Sequence, residues 1–179
     1  MPITVLTGPP GVGKATVAAE LARTSALGVH LVADECFHWI ASGYVPPWSP
    51  SADRQNGTVL AAVAAVAAAA AHFAAGGYDV VVDGIVGPWF LHLFVGAAAA
   101  GELRYVVLRP SLDVTVRRAL GRSGAHDLVA EGPVRAMYAE LADLGGLEAH
   151  VVDTSDHEPA STAAVVRQGV AEGRFTVAG

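Results

Sequence analysis

The stretch Gly8-Pro9-Pro10-Gly11-Val12-Gly13-Lys14-Ala15-Thr16 constrains this chain more than any other. It follows the apolar run Ile3-Thr4-Val5-Leu6-Thr7 and opens into Val17-Ala18-Ala19-Glu20-Leu21-Ala22. A strand, a glycine-rich loop and a helix, in that order, are the context of a phosphate-binding loop. The glycines let the backbone curl so that successive N–H groups point inward at phosphate oxygens. The helix N-terminus adds partial positive charge, and Lys14 adds a full one. The pattern G-x-x-x-x-G-K-S/T places a hydroxyl directly after the lysine, where it binds magnesium. Here Ala15 holds that place, and the hydroxyl comes one residue late, at Thr16, a weak substitute as a metal donor.

Of 11 basic side chains, ten are arginine, and Lys14 is the single lysine. With abundant alanine and glycine, this has the look of a GC-rich coding bias in which arginine replaces lysine as the general surface cation. The one lysine stands where a compact ammonium is useful between β- and γ-phosphates. The 179 residues suffice for one domain with a full core. At 53% hydrophobic and 16% charged, the chain is globular rather than disordered. A net charge of -6 argues against a nucleic-acid or membrane-surface partner. Cys36 is the single cysteine, so no intrachain disulfide forms. Met1 runs straight into Pro2 and a strand with no basic leader, and the expected location is the cytoplasm. Residues 59–75 are almost entirely apolar but mostly alanine, and they read as a buried or half-buried helix rather than a membrane span.

Along the chain, strands are expected at 3–7, 29–33, 78–84, 103–108 and 149–153. Helices are expected at about 14–26 (ended by Gly28), 36–42, 51–75 (capped by Ser51), 88–100, 112–121, 133–143 and 159–172. Short apolar strands alternating with helices predict an α/β, three-layer fold with a parallel sheet.

Three groups could carry chemistry. Asp34 ends the second strand, where a carboxylate can reach the γ-phosphate end and accept a hydroxyl proton, or can cap the helix that follows. Asp83 ends Val80-Val81-Val82-Asp83, the form of a strand that holds magnesium directly or through water, and it also borders the acceptor space. Arg118 and Arg122 lie one turn apart beside a glycine-bounded loop, as in a lid that screens phosphate charge. Trp39, Tyr44, Trp48, Arg54, Gln55, Asn56 and Trp89 fall in segments bordering the crevice, as an aromatic wall with polar handles or as packing under a loop. The seven histidines show no metal-ligand spacing.

In these residues the chain resembles the P-loop kinase group that includes chloramphenicol phosphotransferase-like, shikimate and gluconate kinase-like and zeta-toxin-like proteins. It looks closest to a bacterial branch of AAA-labelled small kinases. The likeness rests on Asp34-Glu35 with Trp39 soon after, Pro47-Trp48, Gln55-Asn56, Val82-Asp83-Gly84 and the pair Arg118 and Arg122, and it spans nearly the whole chain. The resemblance implies a P-loop NTPase fold with a five-stranded parallel sheet in order 2-3-1-4-5 and a lid, as one domain over 1–179. The acceptor region would be about 36–75, with the acceptor held by 38–60, and the lid about 118–135. It implies ATP and Mg2+, with phosphoryl transfer to a hydroxyl of a small molecule. Asp34 would be the base, and Lys14, Arg118 and Arg122 would stabilise charge. Gly11, Val12, Gly13, Lys14, Ala15 and Thr16 would hold the phosphates, Arg118 would also contact the nucleotide, and the adenine would lie near Thr154 and Ser155. Ala15 departs from the group's hydroxyl, so magnesium would fall to water, Asp83 or Asp34.

The acceptor expected on these grounds is a sugar, a nucleoside or a hydroxylated antibiotic. A nucleotide or coenzyme acceptor would call for extra arginines, and the acceptor segment has Arg54 alone. A different class of function, motivated by Ala15, is a catalytically weakened nucleotide-binding regulatory module. A monomer or homodimer is expected either way.

Overall fold

The computed structural model describes residues 1–45, 57–98, 101–121 and 130–177. Five parallel strands form one sheet: β1 (Ile3–Thr7), β2 (Gly28–Val32), β3 (Asp79–Asp83), β4 (Leu103–Leu108) and β5 (Val151–Val152), in spatial order β2-β3-β1-β4-β5. This is the expected order. The central strands are continuous apolar runs because both faces of a parallel sheet are covered. In β1 every residue is buried, with Ile3 and Val5 facing one core and Leu6 facing the other.

One face carries α1 (Lys14–Thr24) and α7 (Pro159–Ala171), which pack on each other. The opposite face carries α3 (Gly57–Ala75), which packs on β3, and α4 (Leu91–Ala97), which packs against α3. The short α2 (Glu35–His38) follows β2, and α5 (Leu112–Leu120) packs on α6 (Glu131–Glu140). By length and composition α3 could cross a membrane. Its Val59, Ala62, Val63, Val66, Ala67, Ala70 and Ala74 are instead buried against the sheet and α4, as a core helix. Alanine lets it lie close, and each fully buried valine contributes about 1.5–3 kcal/mol.

Several boundaries differ from expectation. Gly28 does not end α1. It begins β2, and α1 stops when Ser25 turns extended. A side chain at position 28 would meet the Ala22 carbonyl oxygen at 1.9 Å, so glycine serves a close helix–strand approach there. The segment 88–100 splits into a 3-10 turn, Pro88–Phe90, and the shorter α4. The fifth strand shrinks to two residues because Gly145–His150 winds as a 3-10 helix. Ser51, the expected cap of the third helix, lies outside the described residues.

That 3-10 segment is tied to the end of β4. Arg109 donates to the carbonyls of Leu141 and Ala142 at 2.9 and 3.0 Å and pairs with Glu148 at 2.7 Å. The guanidinium and the Leu144 N–H hold the Glu148 carboxyl down at about 2, against 4.5 for an ordinary glutamate. A depressed acid adds stability above its unfolded value and loses it as pH falls toward its folded value. The pair should therefore contribute fully above pH 4.5 and fade toward pH 2. Urea unfolding midpoints across that window should fall less steeply in Glu148→Gln than in the parent. Equal slopes would show that this exposed pair carries none of the acid sensitivity.

Candidate functional site

The glycine loop leaves β1 at the carboxyl edge of the sheet and closes on α1. Gly8, Gly11 and Gly13 have φ of 151°, 83° and 89°, the left-handed side of backbone space that glycine adopts without strain. Gly13 is the N-cap of α1, and its carbonyl accepts the first intrahelical bond, from Val17. Around Gly13 an added Cβ would meet nothing within 4 Å, so the loop is open where phosphate oxygens would sit. Val12 turns the other way, into the core shared by α1 and α7. Ala15 and Thr16 are both exposed in the first turn of α1.

Gly11 is constrained differently. A Cβ there would approach the backbone nitrogen of Ala119 to 2.7 Å, so α5 packs directly on the loop. Gly11→Ala should cost about 2–4 kcal/mol, combining left-handed strain with overpacking against backbone. Gly13→Ala should cost only about 1–2 kcal/mol, since it meets strain without contact, yet it should weaken nucleotide binding. Urea denaturation and calorimetric titration with ATP separate the two effects; equal destabilisation would refute the assigned contact.

Lys14 is half-buried and curls back over the loop, donating from Nζ to the carbonyls of Gly8 and Pro9, both at 3.0 Å. These contacts hold the ammonium above the cradle. Asp34 follows β2 at the same edge of the sheet and is exposed at the N-terminus of α2. Its side chain makes no cap bond, which sets aside the helix-capping alternative. Tyr44 lies close to it: burial, and then the Asp34 charge, push the Tyr44 hydroxyl above its ordinary pKa. Tyr44 stands edge-on to Phe37 at 6.1 Å, and Trp39 is 70% exposed. Of the expected aromatic wall, Tyr44 thus pairs with Phe37, and Trp39 stands open to solvent just after α2.

Trp89 does not join that wall as an exposed face. Its indole lies on Gly87, where a Cβ would meet it at 2.2 Å, and beside Phe90 at 6.1 Å. It packs against the core under the β3–α4 connection. Trp48, Arg54, Gln55, Asn56 and Arg122 lie outside the described residues.

Asp83 pairs in register with Leu6 of β1 and Val32 of β2, two residues before the loop glycine Gly8. It is buried, and its Oδ2 accepts from the Nε2 edge of His30. Sequence reading missed His30. Its only signal was a polar residue on an otherwise apolar strand, and the register that brings it to Asp83 is a property of the sheet.

Arg118 was expected on a lid that screens phosphate charge. It is instead committed to the loop after β5, donating to the carbonyls of Thr154, Ser155 and His157 at 3.0, 3.3 and 3.2 Å. Thr154 is 1% exposed, and among the described residues its hydroxyl has no hydrogen-bond partner, nor has the hydroxyl of Thr115 on α5 or Nδ1 of His157. A buried polar atom without a partner is costly. The structure thus joins Arg118 and Thr154, two expected nucleotide contacts.

Among the described residues no three His, Cys, Asp or Glu side chains gather to hold a metal ion. A magnesium ion would take its oxygens mainly from phosphate and water, the usual arrangement for this small, tightly hydrated cation. Asp83, with one oxygen not engaged by His30, and the exposed Asp34 are carboxylates of the right chemistry to complete its shell.

A family model, AAA domain, matches residues 3–144. Among solved structures, a gluconokinase from Sinorhizobium meliloti 1021 superposes with a TM-score of 0.70 at 20% identity, covering 96% of this chain and 92% of its own. A sugar kinase from Janibacter sp. HTCC2649 gives 0.67 at 18%, covering 99% of each chain. The Deinococcus radiodurans tunicamycin resistance protein gives 0.61 at 17%, again covering 99% of each. At these identities the likeness establishes a shared fold. No match was found among curated proteins.

Proposed function

Because this chain belongs to the AAA domain family matched over residues 3–144, we propose that it is an ATP-dependent phosphotransferase acting on a hydroxyl of a small molecule. The observation that carries the reading is the open glycine cradle after β1, with Lys14 held above it and Asp34 exposed after β2. Its kinase-fold neighbours, a gluconokinase, a sugar kinase and a tunicamycin resistance protein by title, support a small-molecule acceptor. ATP would supply the γ-phosphoryl group, which passes to the acceptor oxygen as the bond to ADP breaks.

Each residue has a separable task. The N–H groups from Gly11 to Thr16 and the N-terminus of α1 fix the phosphates. Lys14 neutralises charge that builds on the transferring group and the leaving oxygen. Asp34 accepts the proton that leaves the acceptor hydroxyl as its oxygen bonds to phosphorus. Arg118 shapes the loop at Thr154 that would receive the base. Magnesium, brought with the nucleotide, would be held through Asp83 and Asp34, in part by way of water. A nucleotide donor also implies a cytoplasmic location. No nucleic-acid or membrane partner is required, and a monomer or homodimer would serve.

For the acceptor, Trp39 and Tyr44 favour a ligand with an apolar or flat body beside Asp34. A hydroxylated antibiotic, a sugar or a nucleoside each satisfies that description. The test is mass spectrometry for a gain of one phosphate across a panel of all three classes. A new phosphorylated product supports the reading. No product across the panel, with ATP demonstrably bound, overturns it.

Ala15 supports a second reading, a weakened nucleotide-binding regulatory module. The kinase reading expects Ala15→Ser to leave rate and magnesium dependence nearly unchanged. A large gain in turnover would favour the regulatory module.

A further inference from the structure

Two departures meet beside the loop. Ala15 offers no hydroxyl, and Asp83 contacts a histidine. Asp83 is the last residue of β3, and its side chain is 6% exposed; that of His30 is 21% exposed. His30 stands opposite Val81 in the β2–β3 register, so Asp83, two residues further on, is its diagonal neighbour on the same face. That face is covered by α1, which packs on both β2 and β3 and carries Ala15 in its first turn. A buried carboxylate needs a donor. Ala15 has none to give, and among the described residues His30 is the side-chain partner of Asp83.

We propose that His30 is a positioning residue for the nucleotide–magnesium complex: it replaces the hydroxyl lost at position 15 as the donor that holds the Asp83 carboxylate beside the phosphate loop. The proposal rests on the phosphotransferase reading. It explains how a loop ending in Lys14-Ala15 keeps its carboxylate ordered. With Oδ2 given to His30, Oδ1 is the oxygen left for a metal-bound water. His30 itself touches neither phosphate nor metal.

The test is calorimetric titration of ATP, with Mg2+ and with chelator, into the parent, His30→Ala, His30→Gln and His30→Ala/Ala15→Ser. His30→Ala should lose about 10–100-fold of the affinity that magnesium adds, the usual effect of losing an outer partner of a metal site, while metal-free ATP affinity is retained. His30→Gln, which keeps a donor and guards against a failure to fold, should lose less. Adding Ala15→Ser should restore the magnesium effect by returning the missing hydroxyl. Unchanged magnesium enhancement in His30→Ala overturns the proposal. So does an equal loss with and without magnesium, which would mark a purely structural role, and so does failure of Ala15→Ser to rescue. Parent protein that binds no ATP in either condition overturns the phosphotransferase reading itself, which separates the two failures.

Discussion

Lys14→Met should lower kcat/KM for phosphoryl transfer by about 10²–10³-fold, as removal of one preorganised charge from a transition state generally does. The ammonium already sits over the loop on the carbonyls of Gly8 and Pro9, both at 3.0 Å. It need move only from those carbonyls to phosphate oxygens, so little reorganisation opposes its action. Methionine keeps the length and packing of the stem and removes the charge. Stability should change little, because the loop geometry is set by its glycines and by the contact of Gly11 with Ala119. Lys14→Arg should not restore the rate, since a planar fork does not replace a compact ammonium between two phosphates. The check is steady-state kinetics beside a thermal melt. A Lys14→Met protein with parental turnover would remove Lys14 from the mechanism.

Asp34→Asn should reduce kcat by about 10²–10⁴-fold, the usual contribution of a positioned base. Metal-free ATP affinity should hardly change, because the proposed nucleotide site is formed by the loop and the Thr154 segment and does not use Asp34. Asp34 is exposed and caps nothing, so the variant should fold as the parent does. The Tyr44 hydroxyl feels the Asp34 charge. Asp34→Asn should therefore lower the Tyr44 pKa toward its ordinary value, a change readable by ultraviolet titration. Full activity in Asp34→Asn would move the base elsewhere. An unmoved Tyr44 titration would refute the proximity of the two groups.

The parts of the molecule that were legible in the sequence share a physical origin. Ile3–Thr7, Asp79–Asp83 and Leu103–Leu108 are largely buried on both faces, so they are mostly apolar, and that composition is visible without a structure. The phosphate loop was legible because its positive φ angles admit glycine with little cost and little else. Asp34 could be placed because the loop sits at one edge of the sheet and a residue ending the next strand must come to that edge.

Other parts resisted. The fifth strand is two residues long, held between a 3-10 turn and the Arg109–Glu148 pair, and none of that has a local periodicity. Arg118 belongs to a helix whose spacing with Arg122 pointed to a lid over the phosphates. Its destination on the Thr154 loop depends on how α5 sits against the sheet end. Trp89 read either as a wall residue or as packing under a loop, and its contact with the bare backbone of Gly87 matches the packing alternative.

The sequence by itself determined the parallel sheet, the phosphate cradle and the position of its lysine, because each depends on local composition or on backbone angles that few residues tolerate. Only the tertiary structure decided that His30 holds Asp83 and that Arg118 holds the loop at Thr154. Those pairings cross from strand to strand and from helix to loop. Their partners are chosen by register and packing, and no stretch of chain contains both halves of either contact.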